Sequence, residues 1–440
     1  MSRWTAIVCA CWLMGSVEAF AQSRPPNLAS LFEDVFGPNG LVVSSDDVQL
    51  DGTTHAAHFN SAFQSDFRLV NLALTSQLAS LPLPSPASGF TYRFDPSTGT
   101  FVRSTTSFGP ILTDRAETIG RGRTAFGFSY QFFSFDHLDG VALTAVPAVF
   151  RHDSYQSGGG RADVVSTANA IEATVGQFTA ALTYGLSNRV DLAVAVPVVR
   201  TRLSLLSNAT IHRIGTGTNV TVHYFRDEAA IGGYGSTRQF FSEGTAGGIG
   251  DILLRVKGTL FREGTRSLAA GADLRLPTGD EENLLGSGAA GLRPFAAFSA
   301  SYGHVAPHVN ASYQWNGRSV LAGDVQSRTK GSVPDQFQYA AGADFGVNQR
   351  LSAVVDILGQ RVMNSPRLSQ YTLTATGQAA SVALPDIRFQ TGSFWTSTGA
   401  LGLKINAAPR LLLSFNLRFA MTQRGLTDRL APLVGAEWSF

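Results

Sequence analysis

Ten charged side chains share one parity within alternating stretches of this chain: Asp191, Arg255, Lys257, Asp273, Arg275, Asp344, Asp356, Lys404, Arg418 and Glu437. Five acids and five bases on one face suit a solvated or salt-bridged polar wall, or the lining of a pore. Their balance argues against strong ion selectivity. Phe133 and Phe135 fall on the same parity and form a candidate apolar site for admitting a solute, unless their strand twists into its loop there. Pro197 interrupts an apolar alternation and removes a ladder hydrogen bond, which makes it a candidate gap in a wall or a simple bulge. A barrel phospholipase needs His and Ser two residues apart on one face with an Asn nearby; His308, Asn310 and Ser312 share a face, but it is that of the charged set, away from a lipid substrate. A nucleophile with a base and an orienting group is not evident elsewhere, so no catalytic residue is expected. Asp280-Glu281-Glu282-Asn283 carries oxygen ligands without the spacing of a calcium loop and reads as an acidic loop tip. No metal site and no cofactor are expected.

Such residues must be positioned by strands. Leu411, Leu413, Phe415, Leu417 and Phe419 alternate, with Ser414, Asn416 and Arg418 between them, and the chain ends on Pro432, Val434, Ala436, Trp438 and Phe440 at every second position. A period of two separates the faces of a strand, one apolar and one polar. Segments of about ten residues with this pattern, joined by turns, mark a transmembrane β-barrel. In lipid every backbone N–H and C=O must pair within the protein, so the sheet must close.

The pattern predicts twelve strands between 122 and 440. Connections at 185–189, 262–267, 303–304, 346–350 and 406–410 are short. Those at 136–163, 207–248, 277–291, 316–335 and 361–393 are long, and 421–429 is brief. Short periplasmic turns and long external loops are the barrel rule. Fourteen strands result if 88–107 adds a hairpin. The stretch 140–150 is a second place where a strand pair would fit. Trp395, Trp315, Phe419 and Phe132 then lie near outer ends, and Tyr184, Phe345, Trp438 and Phe440 near inner ends, as aromatic girdles.

Composition agrees. The 440 residues include 45 glycines, 4 methionines and 15% charged side chains. That is sparse charge for a soluble surface, yet no apolar run is long enough for a spanning helix. A net charge of +2 with dispersed bases predicts no nucleic-acid partner. Residues 1–21 read as a signal peptide, with Arg3, an apolar stretch and Ala19-Phe20-Ala21. Both cysteines, Cys9 and Cys11, lie inside it, so no disulfide is expected in the mature chain. Residues 22–110 are mixed, with expected helices at 28–36 and 61–79 and a small hairpin around 95–99. They are read as a segment that plugs the lumen, hangs in the periplasm, or adds two strands, ahead of a barrel over 111–440.

Gly109-Pro110-Ile111-Leu112-Thr113-Asp114-Arg115-Ala116-Glu117-Thr118-Ile119-Gly120-Arg121-Gly122 leads into an aromatic strand and Phe135-Asp136-His137-Leu138-Asp139-Gly140. Tyr184-Gly185-Leu186-Ser187-Asn188-Arg189-Val190-Asp191-Leu192 and Leu276-Pro277-Thr278-Gly279-Asp280 follow in the same order. Over roughly 109–440 the chain resembles the outer-membrane channel family called phenol meta-pathway degradation proteins, which are similar to the long-chain fatty-acid and toluene transporters. Residues 22–108 show no asparagine-proline-alanine start like that of the fatty-acid channels. The resemblance implies passive passage of small hydrophobic or aromatic molecules across a Gram-negative outer membrane. The expected partners are the lipid bilayer with its lipopolysaccharide, the solute, and the barrel assembly machinery that reads a terminal aromatic. A structural or adhesive barrel whose external loops bind partners is the alternative.

Overall fold

Alternation along the chain becomes a closed wall. The computed structural model describes residues 27–440 except 38–40, 45, 47–58, 62–67, 81–91, 96–99, 104–106, 153–157 and 409. The signal-peptide segment 1–21 and the turn at 96–99 lie outside the described residues. Twelve strands form the wall: β1 (Thr124–Phe135), β2 (Val164–Gly185), β3 (Val190–His212), β4 (Ile252–Glu263), β5 (Arg266–Leu276), β6 (Gly291–Ala300), β7 (Val305–Asn316), β8 (Gln336–Gly346), β9 (Leu351–Thr376), β10 (Ser381–Ala408), β11 (Leu411–Ala420) and β12 (Leu430–Ser439). Each pairs antiparallel with the next, and β12 closes on β1 through Ala436↔Phe128 and Trp438↔Phe126. Closure satisfies the backbone without an edge.

The register sends the apolar parity outward. Phe126, Phe128, Tyr130 and Phe132 on β1, and Leu401 and Leu403 on β10, are exposed. So are all eight aromatics expected in the girdles. Trp438 and Phe440 stack with centroids 5.8 Å apart beside the closing seam. Ten to twelve residues at about 3.4 Å each, tilted by about 40°, rise about 25–30 Å, enough for the hydrocarbon core. These are the dimensions and the outward apolar face of a membrane-spanning β-barrel.

Four strands overshoot that height. β2 and β3 have 22 and 23 residues, and β9 and β10 have 26 and 28. The external stretches 207–248 and 361–393, expected as loops, are therefore largely sheet. Backbone pairing continues beyond the lipid because Tyr371, Leu373 and their neighbours still find partners across the hairpin, down to Thr376↔Ser381. Strand Thr237–Ile249 pairs with the upper part of β3, and Val146–His152 with that of β2. Phe59–Asn60 adds to the latter. These three extend the sheet above the wall, so the barrel has twelve strands and not fourteen. Tyr92–Asp95 and Thr100–Arg103 do form the expected hairpin, as a separate two-stranded sheet.

The N-terminal segment folds as short helices. A 3₁₀ turn, Leu28–Ser30, runs into α1 (Leu31–Asp34), and α2 spans Arg68–Ser80. Leu28, Leu31, Phe32, Val70 and Leu74 are buried in one apolar cluster with Phe133, Phe135, Val199 and Leu203 of the wall's inner face. Apolar inward side chains near the outer rim thus pack against these helices rather than against water.

Candidate functional site

The inner face of the wall is polar because alternation leaves it the charged parity. All ten charged residues singled out by spacing face inward. Their partners come mainly from a strap of chain, Ser107 to Gly120, that lies inside the lumen and reaches the wall at Thr124. The sequence pattern assigns 111–120 to the barrel, whereas the structure puts these residues inside the lumen, ahead of the first wall strand at Thr124.

The strap is bound along its length. Phe108 N–H donates to Ser352 Oγ at 3.0 Å, and Lys404 Nζ donates to Phe108 O at 3.2 Å. Arg115 pairs with Asp344. Lys257 Nζ donates to the carbonyls of Arg115 and Glu117 at 3.2 and 2.9 Å. Ile119 N–H reaches the carboxylate of Asp191 at 3.1 Å. Asn310 exchanges two hydrogen bonds with the backbone of Asp114, at 2.7 and 2.8 Å. Strap backbone that would otherwise be stranded away from water thus finds partners on the wall.

Arg255 ties strap to wall. It donates to Asp273 at 2.7 and 2.9 Å and to Asp114 at 2.8 Å. Arg293 of β6 reaches the same Asp273. His308 Nε2 lies 2.7 Å from Asp356, and its Nδ1 3.4 Å from Asp344. This histidine is held between two carboxylates, of which Asp344 also pairs with Arg115 of the strap. Glu437 faces inward from β12, opposite Leu412 of β11 and Gly127 of β1.

Nearer the outer rim, α2 takes over. Arg275 Nη1 and Gln314 Nε2 donate to Ala79 O, and Gln336 Nε2 donates to the carbonyl and hydroxyl of Ser76. These bonds cap the C-terminal end of the helix, where carbonyls lack helical partners. The acidic stretch 280–283 is engaged rather than free: Glu282 accepts from Asn27 and pairs with Arg328, and Glu281 accepts from Ser319.

Between α2 and the strap lies a chamber of about 190 Å³. Ser76 and Gln77 line it from the helix and Leu112 and Asp114 from the strap, with Phe133, Phe135, Phe295, Phe394 and Arg418 among its wall residues. Phe133 and Phe135 stack with centroids 6.0 Å apart and planes 10° from parallel. The Arg418 guanidinium sits 5.5 Å from the centroid of Phe133. Spacing alone placed both phenylalanines on the lumen face, and the fold sets them at this chamber.

Pro197 faces a bulge: Thr237–Ile249 and β4 are successive parts of one run of chain, and their register against β3 slips by one residue across Gly250-Asp251. β3 pairs with β4 only as far as Ala195↔Leu253, and with Thr237–Ile249 from Val198↔Ile249. At the break Gly250 N–H donates to Pro197 O at 2.8 Å. Loop residues brace it: Thr278 Oγ1 donates to Gly250 O, and Asp251 accepts from Gly279 and Ser287. On its other side the β2–β3 ladder continues through Thr179↔Pro197.

Sequence reasoning missed Arg115, Asp114 and Arg293 as lumen residues. Arg293 was recoverable from parity. The strap carries no periodicity, and its only signal was a cluster of charges, Asp114, Arg115 and Glu117, in a chain with few.

The sequence pattern of a family described as "Putative MetA-pathway of phenol degradation" matches residues 113–361, more than half of the chain. No curated protein matches. Among solved structures, the fold is similar to the COG4313 outer membrane channel from Pseudomonas putida F1, at 13% identity and a TM-score of 0.45, covering 75% of this chain and 100% of that one. It is also similar to a Pseudomonas aeruginosa FadL homologue, at 10% identity and a TM-score of 0.29, covering 80% and 94%.

Proposed function

The chain belongs to this phenol-degradation family, and from that premise we propose that it is a channel for passive uptake of small hydrophobic or aromatic molecules across the outer membrane. The observation that carries the reading is the chamber between α2 and the strap, lined by Phe133, Phe135, Phe295 and Phe394. An aromatic-walled cavity with a few polar groups suits a small apolar solute. The N-terminal segment acts as plug and gate in this reading: α2 stands above the chamber and the strap below it. Phe133 and Phe135 receive the solute. The charged inner wall holds the strap in place rather than selecting ions, because its signs balance. The ladder change at Pro197 is the candidate weak point of the wall. Bilayer, lipopolysaccharide and assembly machinery complete the partners, and the chain performs no chemistry.

Vesicles with a lipopolysaccharide outer leaflet test the reading, since that leaflet slows bare diffusion of apolar solutes. With the chain inserted, phenol uptake should accelerate while uptake of a sugar should not. Equal uptake with and without the chain would overturn the channel and favour a structural or adhesive barrel.

A further inference from the structure

We infer that the chamber contains an anion-binding point at Arg418, and that the solute it suits is an aromatic acid rather than a neutral hydrocarbon. The inference rests on the channel reading above and names its substrate class. Among the described residues the lumen cations Arg115, Arg255, Lys257, Arg275, Arg293 and Lys404 each donate to a carboxylate or a carbonyl. Arg418 differs. Its Nε and Nη1 are buried and meet no hydrogen-bond acceptor. Among the described residues no carboxylate forms an ion pair with it. Asp428 is the acid that faces it through space, and that carboxylate is taken up by the N–H groups of Ser134 and Leu430 at 2.7 and 2.8 Å.

Two positions along the same inward face, Asn416 is buried with both amide atoms likewise unsatisfied. A guanidinium and an amide left without partners away from water are costly, and side chains are rarely kept so without something to meet them.

The geometry indicates what that is. The Arg418 guanidinium carbon lies 5.5 Å from the centroid of the Phe133 ring, within reach of a cation–π contact. The N–H donors of a guanidinium lie along the edge of its own plane, and each fork pairs Nη2 with Nε or with Nη1. A planar fork of donors matches a carboxylate through two parallel hydrogen bonds. A carboxylate at that edge places a ring attached to it beside the stacked pair Phe133 and Phe135. Leu112, Phe295 and Leu358 line the rest of the space. One charged anchor and an aromatic bed thus sit in one chamber.

The test is equilibrium binding to the full chain in lipid nanodiscs, with benzoate and its neutral isostere benzamide as probes. Benzoate should bind about tenfold tighter than benzamide or better, the scale of one charge-assisted pair. Arg418→Gln should abolish that preference and leave benzamide binding within about twofold. Arg418→Lys keeps the charge without the fork and should fall between the two. It carries the test if Arg418→Gln lacks the heat-modifiable mobility of a folded barrel. Equal binding of both probes to the unaltered chain, or an unchanged preference in both variants, overturns the inference. Phenol uptake is read separately: if uptake is accelerated while no preference for benzoate exists, the channel stands and the anion point falls. If the preference exists without uptake, the anion point stands and the channel falls.

Discussion

The guanidinium of Arg115 meets the carboxylate of Asp344 at 2.8 Å with the two side chains only 2% and 1% exposed. One belongs to the strap and the other to β8, so this pair is one of the buried links that join the lumen segment to the wall. His308, held by Asp356, stands against the same carboxylate.

Removing one member of that pair leaves a buried charge alone, at a cost of about 3–5 kcal/mol. Asp344→Asn should therefore loosen the strap while the wall, held by its own ladders, stays closed. Single-channel recordings should show larger and noisier conductance than the unaltered chain. An unchanged trace would mean that the strap does not limit the pore.

The wall depends on close approach between strands. Gly399 of β10 lies directly opposite Phe419 of β11, and a Cβ on it would collide with the Phe419 ring. Gly399→Val should cost about 1–3 kcal/mol through this overpacking. Urea unfolding in phospholipid vesicles would measure it as a lower midpoint.

Lipid-facing and lumen-facing positions should respond differently to charge. Leu401 is 52% exposed on the outer face near the middle of the lipid-spanning part of β10. Leu401→Arg should destabilise the barrel by about 2–4 kcal/mol, the cost of an arginine at the bilayer midplane. Folding yield into vesicles should fall accordingly.

Above the membrane, Asp163 organises the loop after β3. Its carboxylate accepts from Gly215 N–H at 2.9 Å, from Thr216 and from His223. Burial by itself would raise its pKa, but the hydrogen bonds from His223, Thr216 and Gly215 outweigh it and hold the carboxyl below its ordinary value. A depressed folded pKa means stability that is present above the unfolded value of about 3.9 and lost as pH falls through the folded one. Hydrogen exchange at 213–224 should quicken below about pH 4. Asp163→Asn should show much of that faster exchange already at neutral pH.

Much of the molecule was legible before folding. Alternation at Leu411–Phe419 and its counterparts determined which side chains face lipid and which face the lumen, because a strand has a strict period of two. Loop lengths then set strand number and orientation, since only closed pairing survives in lipid. Tertiary structure alone decided where the aperiodic stretches lie. Asp114, Arg115 and Glu117 obey no period, and their place in the lumen follows from partners far along the chain, such as Asp344 and Arg255. Nor does any local pattern reveal that Arg255 is doubly paired while Arg418 is left against a ring. Both have the right parity, but ion pairing depends on which neighbours the closed barrel brings within 3 Å, and that is a property of three dimensions.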